Sequence, residues 1–205
     1  MHRRDEGIAL VNLHSKPVNA LSSELMEELL ATLQELDEDE SVRGFVLGSA
    51  LPGVFSAGIN LPELLVSEED GSVDSIVHFW TLIQETWMAM YTTQLATVAA
   101  ISGGCQHGGC ILALSCDSRV MHDAGSTIGL DEVSLGLVPP PWLSDMLVGV
   151  AGQRRAEDMI MHGTLLQPDE ALAAGIVDAT MPPEDLEDEA VRRLSRLLAV
   201  SDTAR

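Results

Sequence analysis

The sequence predicts a mixed α/β fold in a single domain, on three observations. Apolar runs of strand length alternate with longer segments of helical periodicity along the whole chain. The 205 residues suffice for one domain with a sizeable core, and 46% of them are hydrophobic, which places the chain among globular proteins. No apolar run reaches the roughly 18 residues of a membrane span; the longest candidate, Ala96–Ile101, is strand-sized. No internal repeat, low-complexity segment or second domain stands out.

Taken in order, Ile8–Leu13 alternates apolar and polar residues and reads as a strand. Lys16-Pro17-Val18-Asn19 follows as a loop. Ser22 or Ser23 caps a helix with Leu25, Leu29, Leu33 and Leu36 on one face, ended by the acidic run 35–40 as a solvated face. Residues 44–47 form a short strand, 51–60 a loop dense in small residues, and 68–71 a polar, mobile turn. Residues 76–91 read as a helix carrying Phe79, Trp80, Trp87 and Tyr91 as a core stripe. Ala96–Ile101 is a buried strand, 102–109 a glycine-rich turn, 109–115 a buried helix and 119–121 a short strand. Residues 126–136 form a loop holding an acidic pair. Pro139-Pro140-Pro141 start a helix at Trp142, proline suiting a first helical turn. Helices follow over 154–162 and 168–174, the second closed by Gly175. Residues 176–180 make a last strand, and 183–200 an amphipathic helix with Leu186, Ala190, Leu194 and Leu197 inward.

The net charge of −21 argues against nucleic-acid partners, which select basic patches, and disfavours anionic membrane surfaces. It also suits a high-salt setting, where self-repulsion is screened. One lysine, Lys16, and ten arginines are so few that each is a candidate anion contact, although pairing with surface carboxylates is the plainer role. Cys105, Cys110 and Cys116 lack a CxxC spacing and form an odd set, which points to a reducing compartment and small buried residues. Residues 1–7 run almost straight into the first strand, and no targeting segment is visible.

Three features carry candidate chemistry. Phe55-Ser56-Ala57-Gly58-Ile59-Asn60 and Gly103-Gly104-Cys105-Gln106-His107-Gly108-Gly109 are glycine-rich turns, each after a strand. Small residues let a ligand approach the backbone, and free N–H groups there can stabilise a developing negative charge. Neither turn matches the phosphate loop or the dinucleotide fingerprint. The third is 129–136, where Asp131 and Glu132 sit among apolar residues. Burial disfavours the charged form of a carboxylate and makes it a better base near neutrality. From spacing alone, an exposed loop or a helix cap is the plainer reading.

Together the three features resemble the crotonase, or enoyl-CoA hydratase/isomerase, superfamily. The resemblance runs from about residue 8 to 182. It is carried by Pro-Val-Asn-Ala-Leu after the first strand, the Phe-Ser-Ala-Gly loop, the Gly-Gly-Cys helix ending in Cys116-Asp117, Glu-x-x-Leu-Gly, and Glu-Ala-Leu-x-x-Gly-Ile-Val-Asp at 170–178. Within the family the chain is most similar to the mitochondrial-type Δ3,Δ2-enoyl-CoA isomerases. It shares with them Pro-Gly-Val-Phe-Ser-Ala-Gly at 52–58, Ile-Gly-Leu-x-Glu at 128–132 and a proline-then-Trp-Leu stretch ending at Leu143. The resemblance implies a superhelix of β-β-α units, with a core domain over 1–182 and a truncated C-terminal helical region starting at 183. It implies a homotrimer or dimer of trimers where further C-terminal helices are present. The setting it implies is the mitochondrial matrix, the cytoplasm being equally compatible for a bacterial chain.

The resemblance also assigns roles. Glu132 falls on the family's base, and the backbone N–H groups of Ala57 and Gly108 on its oxyanion hole. Lys16, Ser56, Gly58, Ile59, Asn60, Ile111 and Trp142 are implied to contact an acyl-CoA thioester; a surface lysine is the alternative for Lys16. Asn60 stands where aspartate is common. No cofactor or metal is implied. The hydratases carry a second glutamate where this chain has Ile111, and water addition normally uses two carboxylates. A double-bond shift needs one proton shuttle, so Ile111 favours isomerisation. Other crotonase-type reactions (hydration, thioester hydrolysis, dehalogenation) and a non-catalytic acyl-CoA-binding or oligomerisation module stand as alternatives. The family does not depend on a histidine at position 107, and Asp131 reads as a loop-structuring residue.

Overall fold

A computed structural model describes residues 2–4, 7–69 and 73–200. In chain order the strands are β1 (His2–Arg4), β2 (Ile8–Leu13), β3 (Ala20–Leu21), β4 (Gly44–Ser49), β5 (Gly53–Ser56), β6 (Gly58–Ile59), β7 (Ala96–Ile101), β8 (Gly103–Gln106), β9 (Ser118–His122), β10 (Thr127–Gly129) and β11 (Ala179–Met181). The helices are α1 (Ser23–Glu38), α2 (Leu61–Glu69), α3 (Val73–Thr92), α4 (Gly108–Leu114), α5 (Pro141–Ala151), α6 (Gln153–His162), α7 (Pro168–Ala173) and α8 (Leu186–Leu198), with 3-10 turns at Glu132–Leu135 and Pro183–Asp185.

Six strands form the central sheet in the order β1-β2-β4-β7-β9-β11, with β1 antiparallel to β2 and the others parallel. A parallel sheet is covered on both faces, so its strands are apolar throughout. β7 is buried at every position, and β2 at every position but Asn12. The half-buried alternation expected of β2 is therefore replaced by two-sided burial. One face of the sheet carries Ala9, Phe45, Leu47, Ala99 and Ile101 into the main core with α1, α3 and α4. The other face presents Ile8, Leu10, Val46, Val98 and Val120 to Leu186, Ala190, Leu194 and Leu198 of α8. The helix expected from 183 thus packs as part of the core sheet, with Leu198 rather than Leu197 as its last buried leucine.

α1 forms as its periodicity requires. The Ser22 hydroxyl accepts the Leu25 N–H at 3.2 Å, and Leu25, Met26, Leu29, Leu33 and Leu36 are buried. α3 begins earlier than expected. It buries Phe79 and leaves Tyr91 exposed, so the expected aromatic stripe is only partly core. α2 occupies a stretch without a strong periodic signal; of the polar turn expected at 68–71, residues 70 and 71 lie outside the described residues.

The segments expected as loops at 51–60, 102–109 and 126–136 contain short strands. β5, β8 and β10 make a parallel three-stranded sheet in the order β10-β8-β5, and β3 pairs with β6. Their glycines gave no strand signal, because glycine weakens a strand unless another backbone approaches closely. That approach occurs here: a Cβ on Gly103 would lie 2.0 Å from the Gly53 carbonyl carbon. The small sheet stacks the two glycine-rich turns side by side.

Candidate active site

The two turns meet without room for side chains between them. Gly58 has φ +85, and a Cβ there would fall 2.4 Å from His107 Cβ and 2.9 Å from Gly108 N. A Cβ on Gly109 would fall 2.5 Å from the Ser56 carbonyl oxygen. The small residues are thus needed first for backbone-to-backbone contact. Ser56 is fully buried behind the turn; its hydroxyl donates to the Asn19 carbonyl at 2.7 Å and accepts the Gly58 N–H at 3.1 Å. Asn19, buried and in a left-handed conformation, ties the preceding loop to the same turn. Its amide donates to Phe55 O and Ser49 Oγ, and its oxygen accepts Ser15 N–H.

In front of the turns lies a cavity of about 430 Å³, lined by Lys16, Ala57, Ile59, Asn60, His107 and Glu132, with Leu135 and Leu137 on one rim. Beside it is a narrow apolar space of about 20 Å³, bounded by Gly108, Ile111, Trp87, Trp142 and again Ile59. Trp142 leans on Trp87, ring centroids 4.6 Å apart. Glu132 stands at the start of the 3-10 turn after β10 and is 6% exposed, and neither carboxylate oxygen has a hydrogen-bond partner among the described residues. His107 Nδ1 is 3.2 Å from Asp131 Oδ1 and 3.7 Å from Glu132 Oε2, close enough for charge attraction but outside hydrogen-bond geometry. Burial pulls the His107 pKa down, but the Glu132 and Asp131 carboxylates outweigh it and the net direction is up. Burial raises the Asp131 carboxyl, against the pull of His107.

The structure brings Lys16, Ala57, Ile59, Asn60 and Glu132 to one cavity and Gly108, Ile111 and Trp142 to the space next to it. It keeps Ser56 and Gly58 off both, as the scaffold that locks the turns. One further expectation needs correction. The Ala57 N–H donates to Val18 O at 3.0 Å and is committed to the fold, so it is not a free donor. Two residues on, Asn60 N–H donates to Leu21 O at 3.2 Å while Leu21 stands in register with Ile59. In a parallel ladder a residue bridged through its neighbours turns its own N–H to the opposite side. The Ile59 nitrogen lies 3.6 Å from where a Gly108 Cβ would be, which puts the two backbones side by side. His107, which sequence reasoning set aside, lines the cavity. Its one signal was its place immediately before the second turn's last glycines.

Stacked parallel sheets, with backbone amides of two glycine-rich turns beside a buried, unpartnered carboxylate, define a protein of the crotonase fold. A profile of the enoyl-CoA hydratase/isomerase family matches residues 3–205, and the chain belongs to that family. It is 40% identical over 200 residues to the mitochondrial enoyl-CoA delta isomerase 1 of Mus musculus, covering 97% of this chain and 68% of the mouse protein. It is 33% identical to the fatty acid oxidation complex subunit alpha of Shewanella amazonensis, over 93% of this chain and 27% of that protein. The crystal structure of human mitochondrial delta3-delta2-enoyl-CoA isomerase superposes with a TM-score of 0.90 at 40% identity, covering 98% of this chain and 76% of that one. The chain thus spans about two thirds of the length of the mammalian relative it matches.

Proposed function

We infer that this chain is a Δ3,Δ2-enoyl-CoA isomerase of fatty-acid oxidation, moving the double bond of a 3-enoyl-CoA to the 2-trans position. The observation that carries this reading is the carboxylate inventory. Among the described residues Glu132 is the only carboxylate lining the cavity, and the position of the hydratases' second glutamate is the buried apolar Ile111. The 40% identity to relatives named as delta isomerases supports it.

In this mechanism Glu132 takes a proton from C2, and the C2–H electrons move into the thioester, whose oxygen becomes the dienolate oxyanion. The N–H groups of Gly108 and, in place of Ala57, Ile59 stabilise that oxygen; one such donor is worth about 3 kcal/mol of barrier. Glu132 then returns the proton at C4, restoring the carboxylate and leaving the conjugated 2-enoyl thioester. Lys16, at the cavity edge, meets a coenzyme A phosphate. Ile111 and Trp142 border the acyl end, and Asn60 holds the start of α2 through Glu63 rather than acting on substrate. No cofactor takes part. The names of the mammalian relatives support a mitochondrial setting, for which we propose the matrix, with the cytoplasm as the alternative for a bacterial chain; a homotrimer or dimer of trimers is the assembly we propose, checked by light scattering.

The test is the absorbance of the conjugated thioester on mixing the protein with a short 3-enoyl-CoA, run beside Glu132→Gln. Conjugation by the wild type alone supports both reaction and base. A folded, ligand-binding wild type that forms no conjugated product rejects the reading, and formation of a 3-hydroxyacyl product would replace it with hydration.

A further inference from the structure

We propose that His107 is a positioning residue for Glu132: held against Asp131, it is the cation that keeps the Glu132 carboxylate charged and aimed into the cavity. The proposal builds on the reading of Glu132 as the proton shuttle and adds a residue that this reading does not use.

Four observations carry it. His107 Nδ1 lies between two carboxylates, 3.2 Å from Asp131 Oδ1 and 3.7 Å from Glu132 Oε2. The atoms concerned, and the second Glu132 oxygen with them, are buried and make no hydrogen bond among the described residues. The backbone that carries the imidazole is set by the turn: His107 is one of two non-glycine residues with positive φ among those described, and its Cβ is accommodated only because residue 58 is glycine. Finally, Glu132 is 6% exposed, and a buried charge is costly unless it is paired with an opposite one.

The titratable and charged groups around His107 are few. Asp131 and Glu132 face it from the turn after β10. Cys110 of α4 is buried, its thiol pushed far up by burial and by the Glu132 charge, and so carries no charge. Lys16 lines the same cavity from the loop after β2. Two carboxylates against one imidazole hold its proton more tightly than water does, in line with the raised pKa described above. The three groups stand in a row, with the imidazole between the two acidic side chains. Proton removal at C2 would neutralise Glu132 and weaken its hold on His107. Return of the proton at C4 restores the pair, so the row favours a shuttle that gives its proton back.

The first experiment needs no turnover. NMR titration of the His107 ring is run on the wild type, Glu132→Gln and Asp131→Asn. An opposite charge at this range is worth about one pKa unit or more, so each variant should lower the His107 midpoint by about one unit, a tenfold change in proton affinity. An unmoved midpoint in Glu132→Gln overturns the proposal. The second is the pH profile of kcat/KM for wild type and His107→Gln. The variant should move the acid limb up by about one unit and abolish the alkaline fall that follows imidazolium deprotonation. KM should change little. A loss that is uniform across pH would mark a merely structural role and overturn the proposal. If the NMR coupling is present but the wild type does not isomerise, the isomerase reading fails and the His107–Glu132 pairing stands.

Discussion

In the proposed reaction Glu132 is the proton shuttle; it is buried, lines the cavity and has no hydrogen bond to either oxygen among the described residues. A general base of this kind contributes about 10²- to 10⁴-fold, so Glu132→Gln should lower kcat by at least about 10² with thermal stability unchanged or higher. Beside it, His107 and Asp131 both have folded pKa values above their unfolded ones, His107 through its carboxylate neighbours and Asp131 through burial. Each therefore binds its proton more tightly in the native state, and its stabilisation is present at low pH and lost as pH rises. For His107 the loss begins near pH 6.5 and runs upward through its raised value. The stability advantage of wild type over His107→Gln, read from urea midpoints, should shrink across that window. Asn19 does the opposite kind of work, structural and far from obvious in a loop. Its side chain makes three hydrogen bonds, one within the 15–19 loop, one to Ser49 of β4 and one to Phe55 of β5, which lock the loop to both strands. Asn19→Ala should cost about 3 kcal/mol in chemical denaturation and raise KM, because Lys16 and Val18 sit on the loop it holds. Of these residues, Glu132 was legible through its motif. The availability of Ala57 was not, because its N–H is occupied by a carbonyl 39 positions away that only folding brings to it.

At the scale of elements, periodicity was a reliable guide wherever a segment buries one face. α1 and α8 follow their leucines, and β7 follows its unbroken apolar run. The small sheet β10-β8-β5 was illegible because its strands are short and glycine-rich, and they exist only as partners of one another. Its geometry predicts that Gly109→Ala is damaging out of proportion to its size. The new methyl would meet the Ser56 carbonyl at 2.5 Å, against backbone that cannot swing away. We expect a loss of about 1–3 kcal/mol in stability, and a fall in kcat from separation of the two turns. The same reasoning explains α2. Its order rests on Glu63, which accepts from Ser23 N–H and hydroxyl and from the Asn60 amide, a contact between distant parts of the chain and not a pattern within it.

For the whole molecule, the central sheet is a wall with the site on one side and α8 on the other. Leu194 of α8 is fully buried against β4 and β7. Leu194→Ala should cost about 2–5 kcal/mol by differential scanning calorimetry or urea, and leave kcat of the folded fraction unchanged. Arg119 ties the far edge of the same wall. Its guanidinium is buried, donating to Ile176 O and Cys116 O, and Asp178 accepts from Ser118 Oγ and Arg119 N–H. The Cys-Asp and Ile-Val-Asp motifs that mark the family in sequence are therefore physical neighbours at the end of β9. The few cations are used accordingly. Arg119 is structural, Arg192 and Arg193 pair with the buried Glu189, and Lys16 borders the cavity.

By itself the sequence determined the α/β class, the main helices and the buried strands, because burial of one face or of both writes a period into neighbouring residues. It also determined the family, because a fixed order of motifs leaves a trace in one dimension. Only the tertiary structure decided which backbone amides are free, that Ser56 and Gly58 serve the scaffold, and that His107 stands between Asp131 and Glu132. Those are contacts between residues distant in the chain or between backbone groups. No local preference encodes them, because a hydrogen-bonding group acquires a partner only when folding brings one within reach.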